Sequence, residues 1–131
     1  MSEELKPELW GISSQSRWYG PAAICLEHLP ILPESSRTAV AYWIMEGSAV
    51  GDFLLAVITN DLRKTVALGD PENVAALRDY VTYFHNFTPS GCWGNEVSYR
   101  TWRDAGGIKG INQGEMRANA EKRDSAQARA D

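Results

Sequence analysis

What this chain has little of bounds it first. It holds only two cysteines, Cys25 and Cys92, and two histidines, His28 and His85, too few for a disulfide-built scaffold or a cysteine-rich metal domain. In a reducing compartment the two thiols are expected buried and unbridged. No apolar run approaches the roughly 20 residues that a membrane span needs. Met1 to Pro7 carries two glutamates and no apolar h-region, so no secretory leader is expected and the chain is placed in the cytoplasm. Excess positive charge is also missing. Thirteen Lys and Arg stand against 17 Asp and Glu, a net charge of −4, which disfavours adhesion to nucleic acid or to anionic membrane.

Catalytic signatures are missing too. There is no nucleophile elbow, no metalloprotease helix and no recognisable pair of catalytic carboxylates. The chain therefore reads as a protein that binds rather than an enzyme, and no cofactor is expected.

What is there is an ordinary globular composition, 131 residues with 44% hydrophobic and 10% aromatic side chains, enough for one domain. Residues 1–32 read as an irregular arm, because Pro7, Gly11, Gly20, Pro21 and Pro30 interrupt any long element. Its Trp10, Trp18 and Tyr19 are too apolar to be left in water and should lie against the domain or a partner. Residues 33–105 read as the helical core. Within it Pro33 to Glu46 places Val40, Trp43 and Ile44 at helical spacing, with Gly47 where a left-handed C-cap would sit. Asp52 opens a run ending at Gly69, in which Leu54, Leu55, Ile58, Leu62 and Val66 share a face; it is expected to be the central, most buried helix. Asp70-Pro71 is an N-cap followed by proline at the first helical position. The helix it starts should reach His85 and bury Leu77, Tyr80, Val81 and Phe84. Asn95 can cap a short fourth helix through Trp102, stopped at Gly106-Gly107. Residues 106–131, glycine-rich and then charged, read as a flexible tail or a frayed helix. The expected fold is thus all-α, three to four helices, with an aromatic arm and a tail. A core confined to 33–105 is near the size at which one hydrophobic core supplies only about 3 to 5 kcal/mol. Such a core calls for the arm, a second copy or a partner to complete it.

The stretch from Tyr42 to Asn95 reads Tyr42, Gly47, Gly51-Asp52-Phe53-Leu54, Ala56-Val57, Asn60-Asp61-Leu62, Glu72-Asn73, Leu77, Tyr83, Pro89, Cys92-Trp93-Gly94. It resembles a family of small hypothetical proteins of bacteriophages and prophages; the Gly-Asp-Phe-Leu to Asn-Asp-Leu helix and the Cys-Trp-Gly loop are its most specific marks. The resemblance covers under half of the chain. It implies a setting, a phage accessory protein in a bacterial cytoplasm, and no established activity.

Four constellations can be weighed as sites. Asn60-Asp61 lies inside a predicted helix, where both residues are poor formers. The pair either reaches a ligand or bonds helix ends of its own chain, and the second is favoured. Gly47 to Gly51 precedes a helix start, but no Lys-Ser or Lys-Thr follows and Asp52 would repel an anion, so a tight interhelical turn is expected. Cys25, His28, His85 and Cys92 add up to a Cys2His2 set, yet the second pair has six intervening residues, so buried thiols are favoured over zinc and over a Cys-His nucleophile pair. Aromatic residues crowd the second half. Tyr80 and Phe84 should be core, whereas Tyr83, Phe87, Trp93 and Trp102 could line an open groove, with Arg100 and Arg103 beside it for an anionic group. The leading expectation is a host or phage protein as partner, with a homodimer allowed. A nucleotide-sequestering protein and a nucleic-acid accessory protein are the alternatives.

Overall fold

The computed structural model describes residues 6–130, with side chains described through 123. No strand occurs among the described residues, and the fold is all-α. Its helices are α1 (Tyr19–Glu27), α2 (Glu34–Glu46), α3 (Asp52–Ile58), α4 (Leu62–Leu68), α5 (Pro71–Ala75), α6 (Leu77–Phe87), α7 (Glu96–Ala105) and α8 (Gly107–Ala130). Short 3-10 turns at Pro7–Trp10, Leu29–Ile31 and Ser90–Cys92 fill the gaps.

The centre is α2, not the Asp52–Leu68 run. Val40, Ala41, Trp43, Ile44 and Met45 of α2 are all buried; α2 packs against α1 and α8, and Trp43 joins it to α7 by stacking on Tyr99. It starts at Pro33 and ends at Gly47, whose φ of 69° makes the left-handed C-cap that the glycine predicts. The run expected to be central breaks in two. Asn60 adopts φ 63°, its N–H donates to the Val57 carbonyl at 3.1 Å, and the Asp61 N–H donates to the Ala56 carbonyl at 2.8 Å. That pair of bonds is the Schellman pattern that closes a helix with a left-handed residue, a role asparagine tolerates better than most. Asp61 then caps the next helix, its carboxylate accepting the Lys64 N–H at 3.1 Å. The chain reverses, α4 packs back on α3, and the expected shared face is lost: Leu62 and Val66 are exposed, while Leu54 and Ile58 are buried.

The next predicted helix also breaks, at Ala76. Asp70 caps α5 as expected, accepting from the Asn73 N–H at 2.8 Å. In α6 Tyr80 and Phe84 are core, Val81 is exposed, and Tyr83 takes the buried place expected of Val81. Asn95 caps α7 through a bond from the Ser98 N–H at 2.8 Å, and Gly106 closes it in the left-handed region.

The arm departs from expectation. The arm is not irregular: it carries α1 and two 3-10 turns, and Trp10, Ile12, Cys25, Leu26, Leu29 and Leu32 belong to the main core. The segment from 107, expected as a flexible tail or a frayed helix, is helical, and α8 packs its first turns on α2, burying Ile108 and Asn112. From Met116 to Arg123 α8 is exposed; the side chains from 124 on and the termini of the arm and tail lie outside the described residues. The hydrophobic core thus runs through all three expected segments, because the apolar arm and the Ile108–Asn112 turn supply the area that residues 33–105 lack.

The arm and α8 are tied together. Ser16 Oγ donates to Asn112 Oδ1 at 2.7 Å, Trp18 Nε1 donates to Glu115 Oε2 at 3.0 Å, and Arg17 pairs with Glu115 at 2.6 Å. At the other end of α8 the backbone itself is packed. Gly107 has φ 67°, and a β-carbon there would lie 2.6 Å from the Glu46 nitrogen and 2.7 Å from both the Gly47 nitrogen and the Ile44 carbonyl oxygen. Those neighbours are backbone and cannot swing aside. Gly107→Ala is therefore expected to lower the unfolding free energy by roughly 2 to 4 kcal/mol, combining left-handed strain with displaced backbone. Gly20→Ala, in α1 with nothing within 4 Å of the added carbon, should be neutral or stabilising by up to about 1 kcal/mol. Urea unfolding of both variants reads the difference, and equal midpoints would refute the close-packed corner.

Candidate functional site

The expected aromatic groove does not form. Tyr83 is 0% exposed and Trp102 5%, each because its polar tip finds a buried acceptor. The Tyr83 hydroxyl donates to the Cys25 carbonyl at 2.7 Å, and Trp102 Nε1 donates to the Trp43 carbonyl at 3.1 Å. With those bonds made, the rings can be buried without an orphaned donor. Phe87 and Trp93 stay half-buried and apart in role: His28 stacks on Phe87 at 3.8 Å, and Trp93 leans on Phe84 at 6.5 Å and on His85 at 6.2 Å. In the arm Trp10 is buried, while Trp18 and Tyr19 are half-buried against the core, so the arm's aromatics are turned toward their own domain.

The four cysteine and histidine side chains do not gather either. Cys25 and Cys92 are buried free thiols, His28 is stacked on Phe87, and His85 meets Trp93 edge-on. Among the described residues no three His, Cys, Asp or Glu side chains come together as metal ligands would.

The polar residues singled out in the sequence do converge. Asn60, Asp61, Arg100 and Arg103 line one cleft of about 950 Å³ between the α3–α4 hairpin and α7, at the upper end of the size range of small-molecule sites. Lys64, Leu62 and Leu68 come from α4, Leu55 and Asp52 from α3, Glu96 and Tyr99 from α7. The walls are set locally. The Thr59–Asp61 reversal folds α4 over α3, and the Gly94 N–H, donating to the Ile58 carbonyl at 2.8 Å, ties the entry to α7 against the end of α3. On α7, Tyr99 stacks inward on Trp43 at 4.7 Å and Trp102 is buried, which turns the following residues, Arg100 and Arg103, outward.

The chemistry of this cleft is mixed. Asp52, Asp61 and Glu96 face Lys64, Arg100 and Arg103, so it carries no net charge. Leu62 is 72% exposed and Leu68 51%, an apolar lip that water covers poorly. The only aromatic ring in the lining, Tyr99, has Trp43 stacked on one face at 4.7 Å, and the Arg103 guanidinium stands 5.9 Å from its centroid. A planar base would have to displace one of them. A smaller apolar hollow of about 250 Å³ lies between Trp18, Ile24, Phe87 and Pro89.

Sequence reasoning missed Lys64, Leu62, Leu68 and Glu96. The signal for the first three was the Asn60-Asp61 pair itself, a helix stop followed by a helix start, which turns the α4 residues away from the core.

The chain matches no protein-family model, no curated protein and no solved structure. No helix among the described residues is long and apolar enough to cross a membrane.

Burial governs the thiols. Desolvation pushes the Cys92 thiol up from an ordinary value near 9 to about 12, with a hydrogen bond from Thr88 partly opposing it. Cys25 is pushed up further, by burial first and by neighbouring Cys92 second, and burial likewise raises the Tyr83 hydroxyl. Folded-state values above the unfolded ones mean that this stability is fully present below the unfolded thiol value and is lost as pH rises through the folded ones. Melting temperature should accordingly fall as pH climbs above about 9, and less steeply in Cys92→Ala. In the native protein at neutral pH neither thiol should react with a disulfide reagent over minutes, and both should react after denaturation. Fast native labelling would show that the core opens.

Proposed function

We propose that this chain is an accessory protein that acts by binding a segment of another protein, in the phage or prophage setting that the Tyr42–Asn95 resemblance implies. The proposed place is the bacterial cytoplasm, and the proposed partner a host or phage protein. The reading as a binder rather than an enzyme rests on the missing catalytic motifs. The observation that carries it is the α3–α4/α7 cleft, where exposed Leu62 and Leu68 stand beside Lys64 and Arg100 in one open depression. Apolar anchors ringed by charged groups are how one protein surface recognises another.

The docking surface proposed from sequence moves with this reading, from the aromatic second half to the cleft. Tyr83 and Trp102 contribute by holding α6 and α7 in place. The nucleotide reading loses support, because the one aromatic ring in the cleft has its inner face taken by Trp43 and the cations there are matched in number by carboxylates. The nucleic-acid reading is weakened by the same balance.

A photo-crosslinking amino acid placed at Leu68 should give a discrete adduct with a protein in the bacterial cytosol. The same group at Val81, exposed on α6, should give none. Adducts from position 81 with none from position 68 would remove the cleft from the proposal. Thermal-shift screening against the common nucleotides is expected to be flat, and a shift of several degrees would restore nucleotide sequestration to first place.

A further inference from the structure

The cleft's charges cancel in number but not in how they are already satisfied. Asp61 is used as a helix cap, its carboxylate accepting the Lys64 N–H. Asp52 and Glu96 sit in the first turns of α3 and α7, where the helix dipole favours negative charge without any partner. The cations differ. Arg103 pairs with Asp104 at 3.2 Å in the last turn of α7, where the dipole favours it as well. Lys64 and Arg100 have neither form of support. Their side chains are in no ion pair among the described residues, Glu96 does not close on Arg100 although it lies one turn before it, and neither cation is in the last turn of its helix in a position to serve as its cap. The charge left unanswered in the cleft is therefore positive and split between its two walls, one cation from α4 and one from α7.

The exposed Leu62 and Leu68 line the same cleft as those cations. A free phosphate would answer the charge and leave the leucines wet, and a neutral apolar peptide would do the reverse. An occupant that does both must carry carboxylates next to an apolar anchor. Resting on the protein-binding reading above, we infer that the cleft receives an acidic amphipathic segment of its partner, with carboxylates meeting Lys64 and Arg100 and a large apolar side chain seated against Leu62 and Leu68. The chain's net charge of −4 gives such a segment no long-range attraction, so its recognition is local and confined to this cleft.

The test uses the full chain and a surface-displayed library of random peptides of about 16 residues, long enough for four helical turns. Peptides selected on the wild-type chain are made synthetically and measured by fluorescence anisotropy against three proteins: wild type, the pair Lys64→Glu/Arg100→Glu, and the pair Leu62→Ser/Leu68→Ser. All four positions are exposed, and unchanged helical circular dichroism and melting confirm that the variants fold. The expected result is enrichment of peptides with clustered Asp or Glu around Leu, Phe or Trp, with affinity falling roughly tenfold or more on each pair. Exchanging the Glu of such a peptide for Lys should restore binding to Lys64→Glu/Arg100→Glu. Enriched peptides that need the leucines but are neutral or basic, or that ignore the charge reversal, overturn the acidic-segment inference and leave the protein-binding reading standing. If no enriched peptide depends on either pair of substitutions, the cleft is not a docking surface and both fall.

Discussion

The architecture depends on Trp43. Its indole, fully buried in α2, donates through Nε1 to the Cys92 carbonyl at 2.9 Å, and its ring lies flat on Tyr99 at 4.7 Å. Its own carbonyl accepts twice, from Trp102 Nε1 at 3.1 Å and from the Gly47 N–H at 2.9 Å. One residue thereby joins the central helix, the 3-10 turn at Ser90–Cys92, helix α7 and the C-cap that frees the chain toward α3. A buried indole must find an acceptor, and a buried carbonyl must find a donor. Trp43 meets both needs with different parts of the chain, which leaves α7 little freedom to rotate. That fixed rotation is what points Arg100 and Arg103 into the cleft.

Much of the fold was legible because helix boundaries are written in local chemistry. Gly47, Asp70-Pro71, Asn95 and Gly106 act where their backbone preferences and side-chain acceptors say they should. The misreadings have a common cause. Asn60-Asp61 has the chemistry of a stop and a start, yet the apolar periodicity running through it is that of a single helix, and here capping prevails over periodicity. Periodicity likewise favours Val81 for the core over Tyr83, although a tyrosine can be buried completely once its hydroxyl has a carbonyl to reach. That carbonyl belongs to Cys25, 58 residues away, and no local pattern reveals it.

The arm shows a related limit of local pattern. Prolines and glycines exclude long helices, but they allow 3-10 turns and one α-helix of nine residues, Tyr19–Glu27. Short pieces of this kind acquire stability only by packing. Here they pack against α2 and α6, so the apolar content of the arm, rather than its breakers, decided its fate. Of the site, the sequence supplied the polar residues, Asn60, Asp61, Arg100 and Arg103, and left their meeting place unknown, since it depends on the reversal after α3 and on the rotation of α7.

The bonds from Ser16 to Asn112 and from Trp18 to Glu115 span 96 and 97 positions of the 131. During synthesis the arm emerges first but finds these partners last, when the C-terminal helix has left the ribosome. Until then the half-buried Trp18 lacks the acceptor for its indole N–H. A chain built in this order leaves residues 16 to 18 waiting until residues 112 to 115 have been made, and any truncation before Glu115 leaves that wait permanent.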